Sequence, residues 1–332
     1  MKLSLITGVT GQDGSYLAEL LLDKKYKVYG TIRRNSLLHT YNRIDHINKE
    51  INLHYCDLND SSSLINIFNI ILQENKEYEV FEIYNLAAQS HVQISFDIPE
   101  YTNDINSGGT LKLLNIIKRL EQKDKNKIKF YQAGSSEMFG KVLETPQNEN
   151  TPFNPQSPYA CSKVYSHFIV NNYRDSYNIF ACNGILFNHE SPRRGYNFVT
   201  MKIINGIKDI LNGKKEFIEL GNINSSRDWG HSIDYVYGMW LMLQQEKPDN
   251  YVLATGKTYT IREFIEESFK YKNIYIKWTG KGLDELGLDQ NNNIRIKINK
   301  KYYRPSEVDL LLGDPSKAIK QLKWTKEYDT IY

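Results

Sequence analysis

Short apolar runs alternate with segments of helical period through the first half of the chain. The runs are LSLIT (3–7), KVYGTI (27–32), INLHYCDL (51–58), FEIYNLAAQ (81–89), IKFYQAG (128–134) and IFACNGILF (179–187). Between them, SYLAELLLDKKY (15–26) and SSSLINIFNIILQEN (61–75) repeat apolar residues at helical spacing. So does 104–121, where Leu111, Leu114, Ile117 and Leu120 share a face, and a further helix is predicted from Tyr159 to Tyr177. Strands interleaved with helices predict an α/β fold, a mostly parallel sheet covered on both faces.

Beyond residue 188 the alternation loosens. NHESPRRGYNFV is polar and turn-rich, and MKIINGIKDILNG reads as a helix stopped at Gly213. FIELG, the loop NINSSRDWG, the helix IDYVYGMWLMLQ, VLATG and a helix from Thr260 follow. A boundary near 188 is expected: 1–188 forms the first domain, some later segments return to it, and 189–332 supplies mainly a second, smaller one.

Composition narrows the classes. Against 42 Lys and Arg stand 39 Asp and Glu, a net charge of +3, with no long basic run to hold nucleic acid. The longest apolar run, YVYGMWLML (235–243), is far shorter than the roughly 20 residues of a membrane span. The first apolar stretch meets glycine too soon for a signal peptide. Cys56, Cys161 and Cys182 form no CxxC pair and no zinc spacing, so no metal is expected and a reducing, cytoplasmic compartment is.

Candidate chemistry begins at Gly8, Gly11 and Gly14. This GxxGxxG lies between the first strand and the first helix, where glycines permit a tight turn and close approach of a pyrophosphate to helix N–H groups. It departs from the strict GxGxxG fingerprint, and its position is what marks a dinucleotide site. The fold expected is therefore a Rossmann-type doubly wound parallel sheet with a smaller C-terminal substrate-binding domain. After the second strand the chain reads RRNS, with Arg33 and Arg34 where an NAD site usually carries an acid. Two guanidinium groups suit the 2′-phosphate of NADP. Asp57 is placed for the adenine side. The turn Leu86, Ala87, Ala88, Gln89 and Ser90 is placed for the pyrophosphate and nicotinamide ribose.

Tyr159 and Lys163 are four apart and share a helix face. A neighbouring ammonium is expected to lower the tyrosine pKa, and the lysine to hold the nicotinamide ribose. Ser135, at the mouth of the fifth strand, is placed to bond the substrate oxygen that loses its proton. Glu137 is the additional piece. Hydride transfer from a secondary alcohol needs no carboxylate there, whereas a sugar dehydratase does: once C4 is a ketone, a carboxylate can remove the acidified C5 proton. A salt bridge or a loop cap is the structural alternative for Glu137.

The stretches TGVTGQDGSYLAELLL, RRNS, AAQSHVQISF, SSEMFGKVLETPQNE, SPYACSK, LFNHESPRRG, RDWGHSIDYV and YYRPSEVDLLLGDPSKA cover nearly the whole chain. They resemble the GDP-mannose 4,6-dehydratases, within the extended short-chain dehydrogenase/reductase family. The resemblance implies conversion of GDP-α-D-mannose to GDP-4-dehydro-6-deoxy-α-D-mannose through bound NADP, the first step toward GDP-fucose and GDP-rhamnose. It implies catalytic roles for Ser135, Glu137, Tyr159 and Lys163, with Ser136 assisting. Cofactor contacts are implied at Gly8, Val9, Thr10, Gly11, Gln12, Asp13, Arg33, Asp57, Leu58, Leu86 to Ser90, Tyr101, His189 and Arg194. Substrate contacts are implied at Ser90, Asn188, Lys202, Arg227, Arg304 and Glu307.

Two departures from the family pattern stand out. Met201 replaces the usual arginine. Residues 35–43, with Leu37, Leu38 and His39, are more apolar than the usual serine-rich loop, which in the family reaches a neighbouring subunit. A homo-oligomer is implied, as dimer or tetramer. The rival readings are another nucleotide-sugar epimerase or reductase on the same scaffold, or a non-catalytic NADPH sensor.

Overall fold

Five of the six apolar runs enter the sheet buried on both faces, whereas the third, at the sheet edge, stays half-buried. In the computed structural model, which describes residues 1–36 and 42–328, they form β1 (Lys2–Thr7), β2 (Lys27–Ile32), β3 (Asn52–Tyr55), β4 (Val80–Asn85), β5 (Ile128–Ala133) and β6 (Phe180–Leu186). A seventh strand, β7 (Asn250–Leu253), joins beside β6. The order is β7-β6-β5-β4-β1-β2-β3, and every pairing is parallel.

Helices α1 (Gln12–Asp23), α2 (Ser61–Glu74), α3 (Gly109–Arg119) and α4 (Pro158–Tyr177) lie between these strands. Helices α5 (Val199–Leu211) and α6 (Ser232–Leu243) follow β6. One buried cluster joins Leu17 and Leu21 of α1 to Met239 and Leu243 of α6. Another joins Ile67 of α2, Leu113 and Ile117 of α3 and Val170 of α4 to Phe81 and Phe130 of the sheet. These clusters are the two layers expected of a doubly wound fold.

Several boundaries differ from the sequence reading. α1 starts at Gln12 rather than Ser15, so Gly14 lies inside the helix. The predicted third strand narrows to β3, whose pairing with β2 ends at Ile32 and Tyr55, and Asp60 then caps α2, accepting from the Ser62 and Ser63 N–H groups. Residues 86–89 leave the sheet. Thr7 Oγ1 accepts from the N–H groups of Leu86 and Ala87, each at 3.0 Å, and fixes the turn above the strand ends. The helix read over 104–121 divides into a π turn, Asp104–Gly108, and α3.

A smaller region follows β6. Its four-stranded sheet pairs 277–279, 286–288, 294–298 and 218–220, and its core includes Ile203, Ile207, Phe264, Phe269 and Ile296. It faces the C-terminal ends of the main strands, near the reversal of strand order between β1 and β4, where open α/β sheets hold ligands. Among the described residues no helix is long and apolar enough to cross a membrane.

Candidate active site

The glycine turn is built for close approach. Gly8 has φ +70°, and a Cβ there would lie 3.0 Å from Ala87 Cα. A Cβ at Gly14 would lie 2.4 Å from the Gly8 carbonyl oxygen, so the first turn of α1 packs directly on the glycine turn. Gly11 precedes α1 and provides no side-chain cap, which leaves the helix start to a ligand. A cavity of about 400 Å³ opens there, lined by Gly8, Thr10, Gly11, Gln12, Asp13, Arg33, Asp57, Leu58, Leu86, Ala87, Ala88, Ser90, Tyr101 and Arg194. The glycine cradle, the open helix start and the guanidinium groups beside it fit a dinucleotide phosphate.

Three implied cofactor residues do not line it, and of these His189 lines the larger cavity described below. Val9 is fully buried and packs against Gly30, where a Cβ would meet its Cγ1 at 2.7 Å. Gln89 turns its amide to Thr102 Oγ1 at 3.0 Å and to the His91 carbonyl at 3.2 Å. The arginine pair also divides. Arg33 lines the cavity and donates to the Tyr101 hydroxyl, whereas Arg34 donates to the Asn35 carbonyl at the surface. Beside Arg33 and Arg194, a third guanidinium on the cavity belongs to Arg43, which donates to the Thr10 carbonyl at 3.2 Å and the Arg193 carbonyl at 2.7 Å. Sequence reasoning passed over Arg43 because nothing in a loop of irregular pattern marks which arginine folds back. The expectations at Leu37, Leu38 and His39 lie outside the described residues. Met201, in the first turn of α5, does not line either cavity.

A larger cavity of about 770 Å³ shares Asp13, Leu86, Ala88, Ser90 and Arg194 with the first. Ser135, Ser136, Glu137, Tyr159, Lys163, Asn188, His189, Lys202, Arg227, Arg304 and Glu307 all line it. Ser135 follows the end of β5 and caps the short turn Ser136–Met138, its Oγ accepting from the Glu137 N–H at 3.2 Å. Ser157 caps α4 in the same way through the Ala160 N–H, and Pro158 fixes its first turn. These two caps set Ser135 and Glu137 opposite Tyr159 and Lys163.

Lys163 does not act on Tyr159 as expected. Its ammonium donates to the Ala133 carbonyl at 2.8 Å and stands 5.8 Å from the centre of the Tyr159 ring. Burial pushes the phenol up to about 12, with a Ser135 hydrogen bond opposing and the Glu137 charge adding. Burial also draws Lys163 down to about 8. In both groups the loss of hydration is the largest cause of the shift.

Glu137 is 8% exposed, and its Oε1 stands 3.3 Å from Arg304 Nη1. Arg227 is buried; burial draws its guanidinium down, and the Glu137 carboxylate opposes this. Glu307 holds the Arg304 backbone, accepting from its N–H at 2.8 Å. The cavity therefore places one carboxylate among two guanidinium groups, opposite a phenol and a hydroxyl.

His189 ties the two cavities together. Its Nδ1 lies 2.8 Å from the Phe187 carbonyl oxygen, its Nε2 lies 2.7 Å from Asp13 Oδ2, and its ring stacks on Tyr235. Burial works to lower the His189 pKa, and the Asp13 charge together with its hydrogen bonds to Asp13 and the Phe187 carbonyl more than reverses it. Asp13 responds in the opposite sense: burial works to raise it, and His189 brings it below the usual carboxylate range. Gln12 completes the tie, donating to the His189 carbonyl at 3.2 Å and accepting from Ser191 at 2.9 Å. Asn106, in the π turn, was not foreseen. It exchanges hydrogen bonds with the Gln89 backbone at 3.0 and 3.1 Å and reaches Ser162 of α4, so it joins the 86–90 turn to the tyrosine helix.

Among the described residues, no group of three His, Cys, Asp or Glu side chains is arranged to hold a metal ion. The family model described as GDP-mannose 4,6 dehydratase matches residues 5–330. The chain is 54% identical over 333 residues to the GDP-mannose 4,6 dehydratase of Drosophila melanogaster, covering 98% of this chain and 82% of that one. It is 50% identical over 332 residues to the Homo sapiens protein of the same description, covering 97% and 87%. Among solved structures, a dTDP-glucose 4,6-dehydratase of Bacillus anthracis in complex with NAD superposes with a TM-score of 0.76 at 19% identity, covering 99% of this chain and 92% of that one. A UDP-glucose 4-epimerase of Thermotoga maritima with UDP-glucose gives 0.77 at 20%, covering 98% and 94%. At that identity the two structures speak for the fold alone.

Proposed function

The chain belongs to the GDP-mannose 4,6-dehydratase family, and from this premise we infer how its residues divide the work of the reaction. The reaction is a hydro-lyase step: GDP-α-D-mannose loses water and becomes GDP-4-dehydro-6-deoxy-α-D-mannose, on the way to GDP-fucose or GDP-rhamnose. When bound, the nicotinamide dinucleotide supplies a reversible store, taking hydride from C4 and returning it to C6.

Every proton is left to the protein. Tyr159 and Ser135 take the O4 proton. As the phenolate, Tyr159 accepts that proton through Ser135; burial, which pushes the phenol up to about 12, makes the phenolate scarce at neutral pH and strongly basic once formed. Lys163 orients the ribose side of the site. Glu137 removes the C5 proton once C4 is a ketone. It then protonates the departing C6 hydroxyl, with Ser136 beside it, and C5 regains a proton, balanced by the one Tyr159 took from O4 and now gives up, as C6 becomes a methyl group. Arg227, Arg304 and Lys202 hold the diphosphate, and Asn188, Glu307 and Ser90 complete the substrate wall. The observation that carries this reading is Glu137 in one cavity with Ser135, Tyr159 and Lys163. Incubation with a panel of GDP-, UDP- and dTDP-sugars, read by mass, tests it. Loss of one water from GDP-mannose alone is expected, and a product of unchanged mass points instead to an epimerase.

The family uses a nicotinamide dinucleotide, and NADP is the form inferred here. Arg33 and Arg43 line the cavity after β2, where RRNS carries no acid. Arg33→Ala is expected to weaken NADP far more than NAD in calorimetric titrations, and equal losses for both would remove the 2′-phosphate role. The residues before about 188 serve mainly the cofactor and those after it mainly the sugar nucleotide. A homo-oligomer belongs to the same reading, supported by Tyr165 and Phe168, exposed at 43% and 57% on one face of α4. The cytoplasm is the compartment inferred, in keeping with three free thiols.

A further inference from the structure

We propose that Tyr302 is the stacking platform for the base of the bound nucleotide, its ring face held by Lys202 until the diphosphate draws that lysine away. The inference rests on the nucleotide-sugar reading of the larger cavity and gives a role to Tyr302, which opens the stretch YYRPSEV and to which the resemblance assigns none.

Lys202 Nζ stands 3.3 Å above the centre of the Tyr302 ring, and both residues line the cavity. The ring is 39% exposed, so one face can meet a ligand while its backbone is fixed from behind. Asn299 accepts from the Lys301 N–H at 2.9 Å and donates to Glu219 at 3.0 Å, which sets the turn Lys300–Tyr302. Gly221 lies so close that a Cβ there would stand 2.3 Å from the Tyr302 carbonyl oxygen. Leu220, Val199 and Ile261 give this part of the cavity an apolar wall, as a flat base requires.

The lysine is the movable part. A cation over a ring is held less strongly than an ammonium bonded to a phosphate oxygen, and the four-carbon stem lets it reach either partner. Burial draws Lys202 down to about 8, which leaves it mostly charged at neutral pH. As the diphosphate takes the ammonium, the ring face is freed for the base. Phosphate recognition and base stacking then occur in one event.

The test uses the full chain, calorimetry, and GDP and inorganic pyrophosphate as probes. Tyr302→Leu is expected to weaken GDP by roughly ten- to a hundredfold, the usual loss of one base–aromatic stack, while pyrophosphate binds as to the parent. Tyr302→Phe keeps the ring and should restore GDP binding. Lys202→Met should weaken both probes. In steady state Tyr302→Leu should raise KM for GDP-mannose with little change in kcat, the pattern of lost uniform binding. Parent-like GDP affinity in Tyr302→Leu overturns the proposal. Equal weakening of GDP and pyrophosphate also overturns it, because the ring would then only prop Lys202. If the parent protein binds pyrophosphate and not GDP, the nucleotide-sugar reading itself fails.

Discussion

Glu137→Gln is expected to bind GDP-mannose and the dinucleotide and yet yield almost no 6-deoxy product. Glutamine keeps the size of the side chain and an oxygen for Arg304, 3.3 Å away in the parent. It cannot accept the C5 proton. Loss of a positioned proton-transfer group costs about a hundred- to ten-thousandfold in rate, and no other carboxylate takes part in the relay proposed here. The first half-reaction does not need Glu137, so a small, stable rise in the near-ultraviolet absorbance of reduced nicotinamide should remain in a single turnover. Solvent deuterium should fail to enter C5. Product formation and deuterium entry at nearly the parent rate would assign the base elsewhere and leave Glu137 as the ion-pair partner of Arg304.

Tyr159→Phe should stop the reaction one step earlier. The ring is buried and its packing is kept; the phenolic hydroxyl bonded to Ser135 is lost. The O4 proton then has no relay, and the expected loss is again on the order of a hundred- to ten-thousandfold, now with no rise of nicotinamide absorbance at all. The contrast between the two variants separates proton removal at O4 from proton removal at C5. A normal absorbance burst in Tyr159→Phe would transfer the first role to Ser135 or Lys163. Parent-like binding of GDP-mannose in calorimetry shows that the variant has kept its cavity.

The main sheet was legible because most of its strands are buried on both faces and carry their signal as continuous apolar runs. That signal also misled. FEIYNLAAQ reads as one strand, but Leu86 and Ala87 are drawn out of it by the Thr7 hydroxyl, almost eighty positions earlier in the chain. The return of some later segment to the sheet was expected, but nothing in VLATG shows that it pairs with β6. Local spacing placed Tyr159 and Lys163 on one helix face. It could not show that the ammonium would find the Ala133 carbonyl, because that partner comes from another strand. The same limit explains the arginines. RR after β2 is conspicuous, yet Arg34 turns to the surface, and Arg43 reaches the cavity through carbonyls of Thr10 and Arg193. The roles of Tyr302 and Asn106 were not legible for the same reason, since each rests on residues far away in sequence.

The position of β7 has a consequence for how the protein is made. Asn183 of β6 donates to Asn250 of β7 across a separation of 67 residues, and α6, made just before β7, covers the same face of the sheet as α1. A chain emerging from the ribosome therefore completes the first six strands with β6 as an open edge and Leu17 and Leu21 uncovered. Both conditions favour pairing with a second unfinished chain. They end only when the intervening residues, including Lys202 and Arg227, have been synthesised and the chain has returned to the sheet. The segment that carries much of the substrate wall is thus enclosed between two strands of the cofactor sheet, and a chain cut short within it leaves that sheet unfinished.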